Sequence, residues 1–276
     1  MIIPAVLASR RRSTPPGLWT PANLSTPALI WLDHESAITE DSGLVTSWAD
    51  RSGAGRTFAA SGIARPTAIT TELGGIRVIR FNGSSNRMMR TDANLLRNVG
   101  AAWLLTVYRR RSTTTGYRRL FSCVYNASGF SRFSVFSGDA GSQNAPWYQS
   151  QAVGGGSELS VYPASPPAVD AWGINLCLRG FAAGTAGIRI NGTSRATQSG
   201  ISTGLTSDVA NAQEIVIGGN AQGSQWSDVD IACVILGDVL PSTGEIEKLE
   251  GWAAWNYDLV GNLPVGHPYK TTPPLA

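Results

Sequence analysis

The sequence predicts an all-β fold: a two-sheet antiparallel sandwich with one C-terminal helix and an extended N-terminal arm. Three observations carry this. The chain has 31 glycines and 15 prolines in 276 residues, about one in six, an excess that favours turns over long helices. Short runs rich in β-branched and aromatic residues alternate with Gly/Ser/Asn turns from residue 28 to residue 236. Helical spacing of apolar residues with a start signal occurs once, near the C-terminus.

The first 25 residues hold four prolines and no stable period, and read as an arm. Ile2, Ile3, Val6 and Leu7 beside Arg10–Arg12 suit docking to a neighbouring subunit. Charges that follow the apolar stretch rather than precede it argue against a secretory signal. Strands are expected at 28–33, 44–48, 75–81, 87–90, 102–110, 119–125, 131–136, 146–152, 171–179, 187–190, 214–218 and 229–236. Alternation is clearest over 76–81 and 132–136, each with one wet and one buried face. Asn82-Gly83 and Asn191-Gly192 follow strands and supply the positive φ of tight hairpins. The helix is expected over 243–257. Pro241 precedes it, Ser242 and Glu245 form a capping box, and Ile246, Leu249, Trp252, Ala253 and Tyr257 give it one apolar face for the outside of the sandwich. No repeat or linker interrupts residues 26–276, so one domain follows the arm. No run of about 18 apolar residues exists to form a membrane helix.

The formal charge is +3, carried by 22 basic residues of which only Lys248 and Lys270 are lysines. Seventeen arginines fall before residue 133, against seven acids, so the first half is basic and the second acidic. That split suits a polyanion if the halves stay apart, and means little if they interleave in one sandwich; nucleic acid is not the expected partner. Cys123, Cys177 and Cys233 each sit in an apolar run, which reads as buried, reduced thiols in a protein folded in a cytoplasm.

Several segments in order resemble a known family. They are 28–33 (ALIWLD), 45–53 (VTSWADRSG) with Gly55-Arg56, Arg65-Pro66-Thr67, 78–83 (VIRFNG), 250–255 (EGWAAW), Leu263-Pro264 and 267–270 (HPYK). The set is similar to the concanavalin A-like, laminin-G-like jelly-roll domain of tailed-phage virion proteins, over roughly residues 17–272. The resemblance implies a two-sheet jelly roll, sugar or protein binding on its concave face or loops, contact with other virion proteins through the arm, homo-oligomers and a place on the virion. Phe81-Asn82-Gly83 stands where Phe-Asp-Gly is more usual, which removes one carboxylate.

Glycoside hydrolases share this fold and resemble one another in a Glu-x-Asp-x-x-Glu strand. Here Asp228-Val229-Asp230 lacks the following glutamate, so the two acids read as orienting a turn. No Gly-x-Ser-x-Gly elbow or P-loop occurs, and no catalytic residue is assigned. Three binding sets remain. Asp33 and Asp50, in polar turns after Trp-bearing strands, could hold Ca²⁺ or bond their own turns. Most of the nine tryptophans fall in apolar runs, but Trp147, Tyr148 and Trp226 sit in polar surroundings with Asn144, Gln149, Gln225 and Asp228. There they either stack on sugars of a host-surface polysaccharide or fold back on the core. Arg109, Arg110 and Arg111, with Arg118 and Arg119 across a short loop, read as one basic hairpin tip, for an acidic sugar, a phosphate or a virion neighbour, or simply solvated.

Overall fold

The computed structural model describes residues 17–113, 116–124, 131–138, 147–150, 159–163, 167–211 and 214–276. Its strands are β1 (Ile30–Leu32), β2 (Ile38–Asp41), β3 (Leu44–Trp48), β4 (Phe58–Ala59), β5 (Thr67–Ile69), β6 (Val78–Asn82), β7 (Met88–Arg90), β8 (Ala101–Arg110) and β9 (Arg118–Val124). They continue with β10 (Ser131–Gly138), β11 (Trp147–Ser150), β12 (Leu159–Val161), β13 (Gly173–Gly180), β14 (Thr185–Ile190), β15 (Thr193–Ser199), β16 (Ile215–Ile217) and β17 (Asp228–Gly237). Helix α1 covers Thr243–Asn256.

Every pairing is antiparallel. One sheet runs β15–β14–β13–β8–β17, and β17 is long enough to hold β6 along its first half and β1 along its second. From β6 it continues through β5 and β3 to β2. The other sheet runs β7–β16–β9–β10–β11–β12. β4 pairs with both β3 and β7, so the sheets are continuous at that edge. This is the antiparallel sandwich that the sequence predicts.

The sandwich has a third layer, which is why β8 and β17 read as apolar runs instead of alternating. In β8, Ala102, Leu104 and Tyr108 enter the core between the sheets, while Trp103, Leu105 and Val107 enter a second core under α1. A bulge in β17, where Ile231 pairs with Tyr108 and Cys233 with Val107, puts Ala232 and Cys233 both on the helix side. The helix buries Leu249, Trp252, Ala253 and Ala254 there; Trp252 meets Trp31 edge-on at 6.0 Å between centroids. Its capping box is formed as expected: Ser242 Oγ accepts from the Glu245 amide, and Glu245 accepts from the Ser242 amide. Glu250, also on α1, is 1% exposed and takes both Nε and a terminal nitrogen of Arg189 at 2.8 and 2.9 Å, with His267 Nε2 at 3.4 Å. These contacts hold the C-terminal segment against β14. The three cysteines are free and buried, and burial pushes the thiols of Cys123 and Cys177 up to about 12.

Three local expectations need correction. Residues 17–25 are not part of an arm: Leu18, Trp19 and Leu24 are buried in the helix-side core, and the Trp19 amide donates to Pro274 O. The remainder of the arm, 1–16, lies outside the described residues. Asn82-Gly83 makes no hairpin, because β6 and β7 belong to different sheets. Asn82 Oδ1 instead accepts the amides of Ser84, Ser85 and Asn86 in an Asx turn. The arginine-rich segment makes no hairpin either: β8 pairs with β13 and β17, β9 with β10 and β16. Asn191-Gly192, by contrast, does turn the β14–β15 hairpin.

Candidate functional site

The ends of β8 and β10 and the starts of β9, β11 and β17 meet at one pole of the sandwich. The register fixes this: Arg110 pairs with Val229, Gly138 with Arg118, Phe136 with both Arg119 and Trp147, and Asp228 with Asn82. Between the sheets at this pole, Gly83, Arg110, Ser112, Arg118, Ser137, Gly138 and Asp228 line a small, shallow depression open to solvent. Gly83 has φ +70°, and a β-carbon there would lie 2.8 Å from Asp228 Cβ, so only glycine allows β17 to start so close.

The five arginines of the predicted tip separate into different environments. Arg109 points to the outer face of its sheet, where Nε donates to Asp230 at 2.8 Å and a terminal nitrogen meets Glu72 at 2.8 Å. Arg80 joins the same carboxylates, and its hydrogen bonds, with those of Arg109, hold the Glu72 carboxyl below its usual range. Arg111 pairs with Asp228 at 3.0 Å. Arg119 donates to Gln225 Oε1 at 2.6 Å and Ser122 Oγ at 3.0 Å. Arg110 and Arg118 differ: Arg110 donates to Pro167 O at 2.7 Å and Arg118 to Trp226 O at 3.1 Å, and neither has a carboxylate partner among the described residues. Asp228 and Asp230 therefore anchor arginines across strands instead of orienting a turn.

Trp226 lies in the connection entering β17 and is half-buried. Its ring packs against Gly219, where a β-carbon would come within 2.8 Å of Cε3. The Arg87 guanidinium stands 5.4 Å from the ring centroid and donates to the carbonyls of Asn220 and Ala221, both at 2.8 Å. Arg87 is a site residue that sequence reading missed, since nothing local links it to a loop more than 130 positions away. Trp147, Tyr148 and Gln149 are placed by backbone register, opposite Phe136, Val135 and Ser134; Asn144 lies outside the described residues. From Trp147 the chain of neighbours runs through Phe136 and Arg119 to Gln225, three strand spacings or roughly 14 Å. The two positions thus belong to one pole, separated by three strand spacings.

Asp33 and Asp50 lie elsewhere and do not fit calcium. Asp33 Oδ1 accepts the Glu35 and Ser36 amides, and Oδ2 accepts Arg51 at 2.5 Å. Burial pushes this carboxyl up, against the opposing pull of Arg51. Asp50 Oδ1 accepts the amides of Trp31 and Ser52, and Oδ2 accepts Ser52 Oγ and the Arg56 amide. Both carboxylates thus organise their loops, and a cation would have to displace N–H donors from each. Among the described residues no group of three or more potential ligands gathers.

No protein-family model matches the chain, and no curated protein matches it in sequence. In fold it is similar to the binding domain of Paraclostridial Mosquitocidal Protein 1, with TM-score 0.58 at 12% identity, over 82% of this chain and 52% of that one. It is similar also to Trypanosoma rangeli sialidase, with TM-score 0.54 at 10% identity, over 82% of this chain and 32% of that one. Domain 4 of AbnA, a GH43 extracellular arabinanase from Geobacillus stearothermophilus, in complex with arabinotriose, gives TM-score 0.51 at 14% identity over 73% of this chain and 92% of that one. The chain thus spans about half the length of the first structure and a third of the second. At these identities the likeness is one of fold. The chain is an antiparallel β-sandwich of the jelly-roll type.

Proposed function

We propose that this domain is a non-catalytic glycan-recognition module, displayed on a phage-type virion. The observation that carries the reading is the pole itself, where a depression open to solvent holds two arginines without carboxylate partners among the described residues, in the same strand-end cluster as Trp226 and the start of β11 at Trp147. Aromatic faces stack on the apolar side of a sugar, and guanidinium and hydroxyl donors meet its oxygens. Similar folds described as a binding domain and as a domain in complex with arabinotriose support recognition as the task. The acids of β17 are ion-paired to arginines, which supports binding over hydrolysis. The virion setting rests on the sequence resemblance, with residues 1–16 as the contact to other virion proteins. A shallow site binds weakly, and several copies in a homo-oligomer supply avidity.

The test is retention of the purified protein on host-surface polysaccharide, comparing wild type with Trp226→Ala and Trp147→Ala. Retention by wild type and its loss in Trp226→Ala is expected. Undiminished retention in both variants would move the site away from this pole, and no retention by wild type would leave an architectural domain.

A further inference from the structure

Resting on that glycan reading, we infer that Arg110 and Arg118 form the subsite for an oxyanion carried by an acidic sugar. The partition of the arginines is the ground for this. Arg109 and Arg111 are neutralised by Asp230, Glu72 and Asp228, and Arg119 is engaged by Gln225 and Ser122. Arg110 and Arg118 face the same depression, and among the described residues each side chain gives one hydrogen bond, to a main-chain carbonyl. Their Nε groups are buried and have no acceptor among the described residues. Arg110 is only 5% exposed and lies deeper; Arg118 is half-buried and lies nearer the mouth. Placing two like charges together and burying one without a counter-charge is costly, and an anion seated between them offsets that cost. Asp228 also lines the depression, but its Oδ1 is held by Arg111, so the carboxylate that the described residues place there is already paired with another arginine. Ser137 Oγ, bonded to Ser227 Oγ at 2.9 Å, adds a hydroxyl to the wall.

The test follows the Arg Nε–Hε resonances of the full chain, assigned on the wild type so that no variant need fold. The probes are inorganic sulfate, trigalacturonate, its methyl ester and a sulfated galactotriose. Expected are movement of the Arg110 and Arg118 signals with sulfate and with an acidic trisaccharide, and weaker or no movement with the ester. The carboxylated and sulfated sugars tell which oxyanion is preferred. In Arg118→Gln the affinity for the acidic probe should fall about tenfold, the loss of a charge-assisted contact, while Arg97→Gln leaves it unchanged. Static Arg110 and Arg118 signals with every acidic probe would overturn the inference. Equal binding of acid and ester would overturn it too, yet leave glycan binding standing. Movement with inorganic sulfate but with no sugar would overturn both the acidic-sugar assignment and the glycan reading.

Discussion

At the scale of single residues, the buried charges in this protein hold strands and loops together. Glu250 shows most plainly what they are worth. Its carboxylate, 1% exposed, joins α1 to β14 through Arg189 and to the C-terminal segment through His267. Truncating one member of such a group strands the others, so Glu250→Ala should cost about 3–5 kcal/mol in urea unfolding. Its neighbour Gly251 poses a conflict between local and tertiary preference. Alanine is favoured by about 1 kcal/mol inside a helix, but a β-carbon at Gly251 would stand 2.6 Å from Tyr269 Cβ. Gly251→Ala should therefore destabilise, by about 1–3 kcal/mol, and a gain in melting temperature would show that the Tyr269 segment yields easily. Among the site residues, composition marks out Trp226 and the arginines but not which of them are neutralised. That depends on β8 and β9 entering different sheets, a long-range choice with no local signal.

The elements differ in how clearly the sequence announces them. The interior strands β3, β6, β8, β16 and β17 are visible because burial forces alternation or a continuous apolar run. β2 and β15 are absent from the expected strands. Each pairs on one side only, and their residues, ITED and TSRATQS, are mostly exposed, so no buried face writes itself into the sequence. β4, two residues long, is too short to show any period. The helix is visible because its start signal is local. Burial would raise Glu245, but the amides and hydroxyls of Ser25 and Ser242 outweigh it and hold the carboxyl at about 2, against the ordinary 4.5. A carboxyl lowered on folding contributes stability above its unfolded value and loses it as pH falls towards its folded value. The difference in melting temperature between wild type and Glu245→Gln should therefore be largest above about pH 4.5 and close as the pH falls towards 2. A gap that stays constant down to pH 2 would remove the charged cap from the account.

At the scale of the whole molecule, three layers share two cores, and the segment 17–25 belongs to the second. Removing residues 1–24 takes Leu18, Trp19 and Leu24 out of the helix-side core and should lower the melting temperature below that of a chain lacking only 1–16. Equal melting temperatures for the two truncations would make the entry segment dispensable. The same segment decides how the domain meets a mechanical load. Leu18 pairs with Leu275, and the Ala276 amide donates to Gly17 O, so entry and exit lie side by side. Pulling the two ends apart would load these bonds one after another and unzip them at low force, with the sandwich untouched until they are gone. Pulling both ends together as a single stalk would leave them unloaded, and the domain could be drawn on from a distance without being strained open.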